Sequence, residues 1–232
     1  MREIVFDTET TGLDPAGGDR MVEIGCIEMV NKVATGAVYH AYFNPGRDMP
    51  AEAFAVHGLS TAFLSAKPAF AACAGELLDF LGDARLVAHN AQFDFGFLNA
   101  ELAACGLGPV SMARMVDTVA LARRRHPGAK HSLDALCTRY GIDRSHRVRH
   151  GALLDAELLA QVYVELTGGR QIGLELVAER PPLVALGAAL ARPPIGPAAR
   201  PVRPPRPHYA SAEELARHRA FLQGLQIAPW GA

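Results

Sequence analysis

Three separated stretches of the chain supply carboxylates in settings where they could do chemistry. IVFDTETTG (Ile4–Gly12) places Asp7 and Glu9 one residue apart, where an apolar run gives out. HNAQFDFGFL (His89–Leu98) carries Asp94, and HGALLDAELL (His150–Leu159) carries Asp155 five residues after His150. On a strand, residues i and i+2 share a face, so Asp7 and Glu9 point together. Four acids gathered without a cation would repel one another strongly. Carboxylate oxygens are hard ligands suited to Mg²⁺ or Mn²⁺, and no soft Cys or His cluster competes for zinc. Two such ions about 3.5–4 Å apart would relieve the repulsion and clamp the attacking and leaving oxygens of a phosphodiester. Each piece is ordinary by itself: a D-x-E is usually surface, an Asp at a helix start is usually a cap, and a His there is usually structural. Their joint order makes them a metal platform.

The elements that must position them can be read from periodicity. Glu3–Asp7, Met21–Val30 and Val33–Phe43 are predicted strands, joined by short polar segments that allow antiparallel pairing. Pro68–Leu81 is predicted as a helix, Arg85–His89 as a buried strand, Ala91–Cys105 as a helix ending near Gly106, and Met115–Asp117 as a short strand. Thr118–Arg125, Ser132–Tyr140 with Ser132 as its N-cap, and His150–Thr167 are predicted helices. Strands first, then alternating strand and helix, imply an α/β domain with a mixed sheet. Sites in such sheets form where strand ends and helix starts open loops on one edge, and all four acids fall at such places. His89 and Asn90 read as framework for the Asp94 loop, and Phe93, Phe95 and Phe97 as core or wall. RRRHPGAKH (Arg123–His131) is a local basic cluster that suits phosphates or a partner as readily as a solvated loop.

Half of the 232 residues are apolar, yet no apolar run approaches the roughly 18 residues that cross a bilayer. The first residues read as a strand rather than as a charged-then-apolar signal peptide, so a cytoplasmic protein with no membrane association is expected. Cys26, Cys73, Cys105 and Cys137 lie far apart with no CxxC pair, as free thiols of a reducing compartment do. A net charge of −1 excludes a protein that grips nucleic acid by phosphate contacts alone. Action on nucleic acid would then be local, metal-assisted or supported by a partner.

Composition changes after Gly168-Gly169, placing one domain at 1–170. Between Pro181 and Pro207 the chain carries nine of its 16 prolines together with Arg192, Arg200, Arg203 and Arg206, and no acid. Such a stretch buries too little apolar surface to fold and favours extended conformations, so 171–210 is expected to be a linker. SAEELARHRAFLQGLQ follows it. Ser211 and Glu214 make a capping-box pair, and Leu215, Phe221, Leu222 and Leu225 form an apolar stripe at helical spacing. An isolated helix of this length is marginal in water, so 211–232 is expected to bind an external partner.

FDTETTG, HNAQFDFGFL and HGALLDAELLA together resemble the three motifs of the DEDDh 3′→5′ exonuclease family, which has a ribonuclease H-like fold. EAFAVHGL, HSLDALCTRYGID, HGALLDAELLAQVYVELTGG and the terminal EELARHRAFL with Trp230 extend the resemblance over nearly the full length, to the family of proofreading subunits of bacterial DNA polymerase III. The resemblance implies a five-stranded mixed sheet flanked by helices, and two divalent ions, Mg²⁺ or Mn²⁺. Asp7, Glu9 and Asp155 would hold them, Asp94 would contribute directly or through water, and His150 would be the general base. It implies that Glu52 and His57, with Asp7, Glu9 and Asp155, contact the terminal nucleotide of a single-stranded or frayed DNA 3′ end. Gln171–Leu176 (QIGLEL) looks like a peptide that binds the beta sliding clamp, although it lacks the usual aromatic ending. Ser211–Ala232 would anchor the chain on the polymerase alpha subunit. A free-standing exonuclease acting on RNA or short oligonucleotides would need neither linker nor terminal helix. A non-catalytic scaffold between polymerase and clamp would have no use for four acids and His150 at this spacing.

Overall fold

Strand β1 (Arg2–Thr10) sends successive side chains into two separate cores, and that alternation organises the domain. Ile4 and Phe6 enter one core; Val5 enters the other. The computed structural model describes residues 1–145, 147, 149–169 and 210–224. The chain divides into two units, Met1–Leu176 and Val177–Ala232.

β1, β2 (Met21–Val30) and β3 (Val33–Tyr42) form an antiparallel meander. β4 (Arg85–Ala88) and β5 (Met115–Asp117) add in parallel beyond β1, giving the order β3-β2-β1-β4-β5. The expected mixed five-stranded sheet is therefore present. β1 is longer than its apolar run, because its pairing with β2 continues through Glu9 opposite Glu23, with a register shift before Thr10. Asp7 and Glu9 thus stand inside the strand and not beyond its end.

Helices α1 (Ala51–His57) and α2 (Thr61–Ser65), too short to show an apolar period, come between β3 and α3 (Phe70–Leu81) and were not legible in the sequence. α3 starts after Pro68 and Ala69, later than the apolar spacing suggests. α4 (Ala91–Ala104) covers the Phe6 face of the sheet, where Phe6 and Phe95 meet edge-on with centroids 5.8 Å apart. α5 (Thr118–Arg125), α6 (Leu133–Tyr140) and α7 (Ala152–Leu166) enclose the Val5 face. Ser132 caps α6 as expected, its hydroxyl accepting from the Ala135 N–H at 3.3 Å.

α7 is fixed to the sheet at both ends. Near its C-terminus, Tyr163 donates to the fully buried Glu3 at 2.7 Å. At its start it lies directly on Gly25 of β2, where a Cβ would stand 2.3 Å from the Leu153 main chain. Only glycine permits that approach. α7 begins after Gly151, so His150 precedes the helix instead of opening it.

In the second unit, α8 (Ala212–Gly224) closes the expected capping box. The Ser211 hydroxyl accepts from the Glu214 N–H at 3.2 Å, and the Glu214 carboxylate accepts from the Ser211 N–H at 2.8 Å. Leu215 and Phe221 are exposed. The linker reading, Gln171–Leu176, Leu225 and Trp230 lie outside the described residues.

Candidate active site

Because β1 and β4 are parallel, both end at the same edge, where β1 carries Asp7 and Glu9 and the chain leaves β4 for the helix that bears Asp94. Asp7 and Glu9 continue the Val5 face of β1 towards α7, whose first turn supplies the buried Asp155. Asp94 comes from the opposite layer, in the first turn of α4. Thr8, on the Phe6 face of β1, reaches it: the Thr8 hydroxyl donates to the Asp94 carboxylate at 2.8 Å. The chain turns from β4 into α4 through Asn90, whose φ of 64° is left-handed. Asp117 steadies that turn by accepting from the Asn90 N–H at 3.1 Å, and His89 pairs with the Thr118 hydroxyl at 2.9 Å. His89 and Asn90 thus act as framework, as the sequence suggests.

The four acids line one cleft of about 720 Å³, with Thr8, His89, Asn90, Phe93, Arg123, His131, Asp134, Arg147 and His150 among its walls. Phe95 and Phe97 are core, while Phe93 borders the opening. One ligand atom each from Glu9, His150 and Asp155 lie within 4.8 Å of one another. Burial raises the carboxyl of Asp7 well above its ordinary range, helped by Asp94, Glu9 and Asp155. Burial, then Glu23 and Asp155, push Glu9 up to about 8, and burial lifts Asp94 to about 7 against the Thr8 hydrogen bond. These carboxyls resist ionising together, and a divalent cation removes that resistance. Four carboxylates with one imidazole fit a hard divalent cation better than a soft metal.

The sequence profile of the family described as Exonuclease matches residues 4–163. The chain belongs to the exonuclease family. Within it, the DNA polymerase III epsilon subunit of Rickettsia felis is 46% identical over 228 residues, covering 97% of each chain. The epsilon subunit of Escherichia coli K12 is 41% identical over 232 residues, covering 97% of this chain and 93% of its own. By these relatives the chain belongs among the epsilon-type exonucleases. Exonuclease X, solved in complex with 5′ overhanging duplex DNA, superimposes with a TM-score of 0.56 at 25% identity, over 71% of this chain and 90% of its own.

Against the expectations for an exonuclease of this type, the cleft brings together Asp7, Glu9, Asp94, Asp155 and His150. Glu52 and His57 stand outside its lining. Glu52 is exposed in the first turn of α1. His57, the last residue of α1, is buried close by, since the neighbouring Val56 carbonyl accepts from the His150 N–H at 3.4 Å. The Leu59 N–H donates to Nδ1 of His57 at 3.1 Å, which puts the ring proton on Nε2. That Nε2 has no hydrogen-bond partner among the described residues. Burial lowers the pKa of His57, and the nearby Thr10 main chain opposes this without reaching Nε2 at bonding geometry. Arg123 and His131 bring part of the basic cluster into the cleft wall.

Sequence reasoning missed Arg147. Its guanidinium donates to both Asp155 oxygens, at 2.5 and 2.7 Å, and to Asp134 at 2.6 Å, and lies 2.7 Å from Nδ1 of His150. In sequence it is one arginine among Arg144, Arg147 and Arg149, and spacing does not distinguish it from a solvated charge. Thr8 was equally silent, since a threonine between two acids carries no periodic signal.

Proposed function

We propose that the chain is the proofreading 3′→5′ exonuclease of DNA polymerase III, hydrolysing the last phosphodiester of a DNA 3′ end and releasing nucleoside 5′-monophosphates. The observation that carries this reading is the meeting of Asp7, Glu9, Asp94 and Asp155 in one cleft with His150 at its rim. Asp7, Glu9 and Asp155, with Asp94 directly or through water, would hold two divalent ions, Mg²⁺ or Mn²⁺. When bound, such ions polarise the phosphodiester and lower the pKa of a coordinated water. Thr8 orients Asp94. His150 takes the proton of the attacking water on Nε2, while its Nδ1 faces Asp155 at 3.1 Å. His57, buried beside the cleft with no partner for its Nε2 among the described residues, and the exposed Glu52 would contact the terminal nucleotide.

The near-neutral charge suits an enzyme delivered by a tether. The terminal segment Ser211–Ala232 docks on the alpha subunit and Gln171–Leu176 on the beta clamp, with 171–210 as the arm. The DNA end is then presented at high effective concentration, and little affinity of the chain's own is required. No described helix is long and apolar enough to cross a membrane, which is compatible with work in the cytoplasm. The test is product identity. Incubating the protein and a divalent ion with a primer bearing a 3′ mismatch should release nucleoside 5′-monophosphates, resolved by chromatography. Nucleoside 3′-monophosphates or internal fragments would refute the assignment.

A further inference from the structure

Arg147 is paired with Asp155, one of the proposed metal ligands, and its side chain is only 9% exposed. Nε donates to one oxygen of Asp155 and Nη2 to the other, so both carboxylate oxygens are engaged. The same guanidinium lowers the pKa of Asp7 and Glu9, which burial and the neighbouring acids raise. It is therefore a positive charge set against the carboxylate cluster.

Nη2 also meets Nδ1 of His150 at 2.7 Å, while Asp155 Oδ2 lies 3.1 Å from that nitrogen. A neutral imidazole nitrogen either accepts or donates. If Nδ1 accepts from Arg147, the ring proton sits on Nε2, and that nitrogen has no lone pair for a proton from water. If Arg147 withdraws, Nδ1–H donates to Asp155 and Nε2 becomes a base. The arginine has a second perch, because Asp134, half-exposed on α6, already accepts from its Nη1 at 2.6 Å. Withdrawal from Asp155 need not expel the side chain from the cleft.

We propose that Arg147 is a latch: it fills the cation's place on Asp155 and holds His150 in the non-basic tautomer until a divalent ion displaces it. The proposal rests on the metal-site reading above and adds a competitor to it. Metal entry and activation of the base become a single event, so a chain without its ions does not carry a free base beside DNA.

Calorimetric titration of Mg²⁺ into the metal-free full chain, without DNA and at mildly alkaline pH, tests it. Arg147→Gln should bind Mg²⁺ with a several-fold lower Kd than wild type, and Arg147→Lys, which keeps a charge without the fork, should fall between them. Unaltered or weaker binding in both variants would overturn the latch alone. No binding to any of the three would overturn the latch and the metal-site reading together. If Arg147→Gln does not fold without metal, the comparison with Arg147→Lys decides in the same way. ¹⁵N spectra of labelled histidine give the readout that a merely structural role would not move. His150 should change from Nε2–H to Nδ1–H when Mg²⁺ is added to wild type, and an Nδ1–H ring in the metal-free wild type would overturn the proposal.

Discussion

Asp7 lies directly opposite Gly25 in the β1–β2 ladder, and Gly25 is the residue on which the start of α7 rests. That single pairing fixes how close Asp155 comes to Asp7, since α7 carries Asp155 one turn from its start. A methyl at position 25 would stand 2.3 Å from main-chain atoms of Leu153 that cannot rotate away. Gly25→Ala should therefore cost about 1–3 kcal/mol of stability, as overpacking does. It should also cut metal-dependent hydrolysis out of proportion to that loss, because it separates ligands from two layers. Chemical denaturation and a rate measured well below the unfolding transition check both parts; normal activity in the folded variant would deny Gly25 this role.

The raised carboxyls give the metal-free protein an unusual pH dependence. Asp7, Glu9 (about 8) and Asp94 (about 7) keep their protons to higher pH in the native state than in the unfolded chain. The native state then binds more protons from the ordinary carboxylate range up to about pH 8, so stability falls as pH rises through that window. Melting temperature in chelator should drop from mildly acidic to mildly alkaline pH, and excess Mg²⁺ should remove the drop. Parallel slopes with and without Mg²⁺ would show that these groups do not sense the ion.

The two histidines should separate kinetically. His150→Ala removes the proposed base and should slow hydrolysis by roughly 10²–10⁴-fold with metal affinity largely kept. His57→Phe removes a buried donor that has no partner among the described residues, together with an acceptor for the Leu59 N–H. It should weaken binding of the terminal nucleotide more than it slows the chemical step. KM and kcat on a labelled oligonucleotide distinguish the two, and an effect on kcat alone from His57→Phe would contradict its placement.

Deleting Ser211–Ala232 should abolish association with the polymerase alpha subunit while leaving hydrolysis of single strands nearly intact. α8 caps itself through Ser211 and Glu214 and leaves Leu215 and Phe221 exposed, as a docking helix requires. Co-purification of the truncated chain with the polymerase would place the contact elsewhere.

The four acids of the cleft were legible because they sit on long elements. Strand alternation pairs Asp7 with Glu9, and the helices bearing Asp94 and Asp155 have strong apolar character. What lay hidden depends on contacts between elements. Arg147 reaches Asp155 from a loop, Thr8 reaches across to Asp94, and Gly25 matters only because α7 crosses it. α1 and α2, with seven and five residues, are too short for a helical period to appear. His57 was found through a motif, whereas its orphaned Nε2 is visible only in three dimensions.

The carboxylate cluster is proposed as the metal centre of a 3′→5′ exonuclease. Digestion of a 5′-labelled single-stranded DNA with Mg²⁺ or Mn²⁺, beside reactions with EDTA and with Asp7→Ala, tests it most directly. The expected result is a ladder that shortens from the 3′ end and vanishes in both controls. An intact substrate from folded wild-type protein under either ion, or a ladder that survives Asp7→Ala, would contradict it.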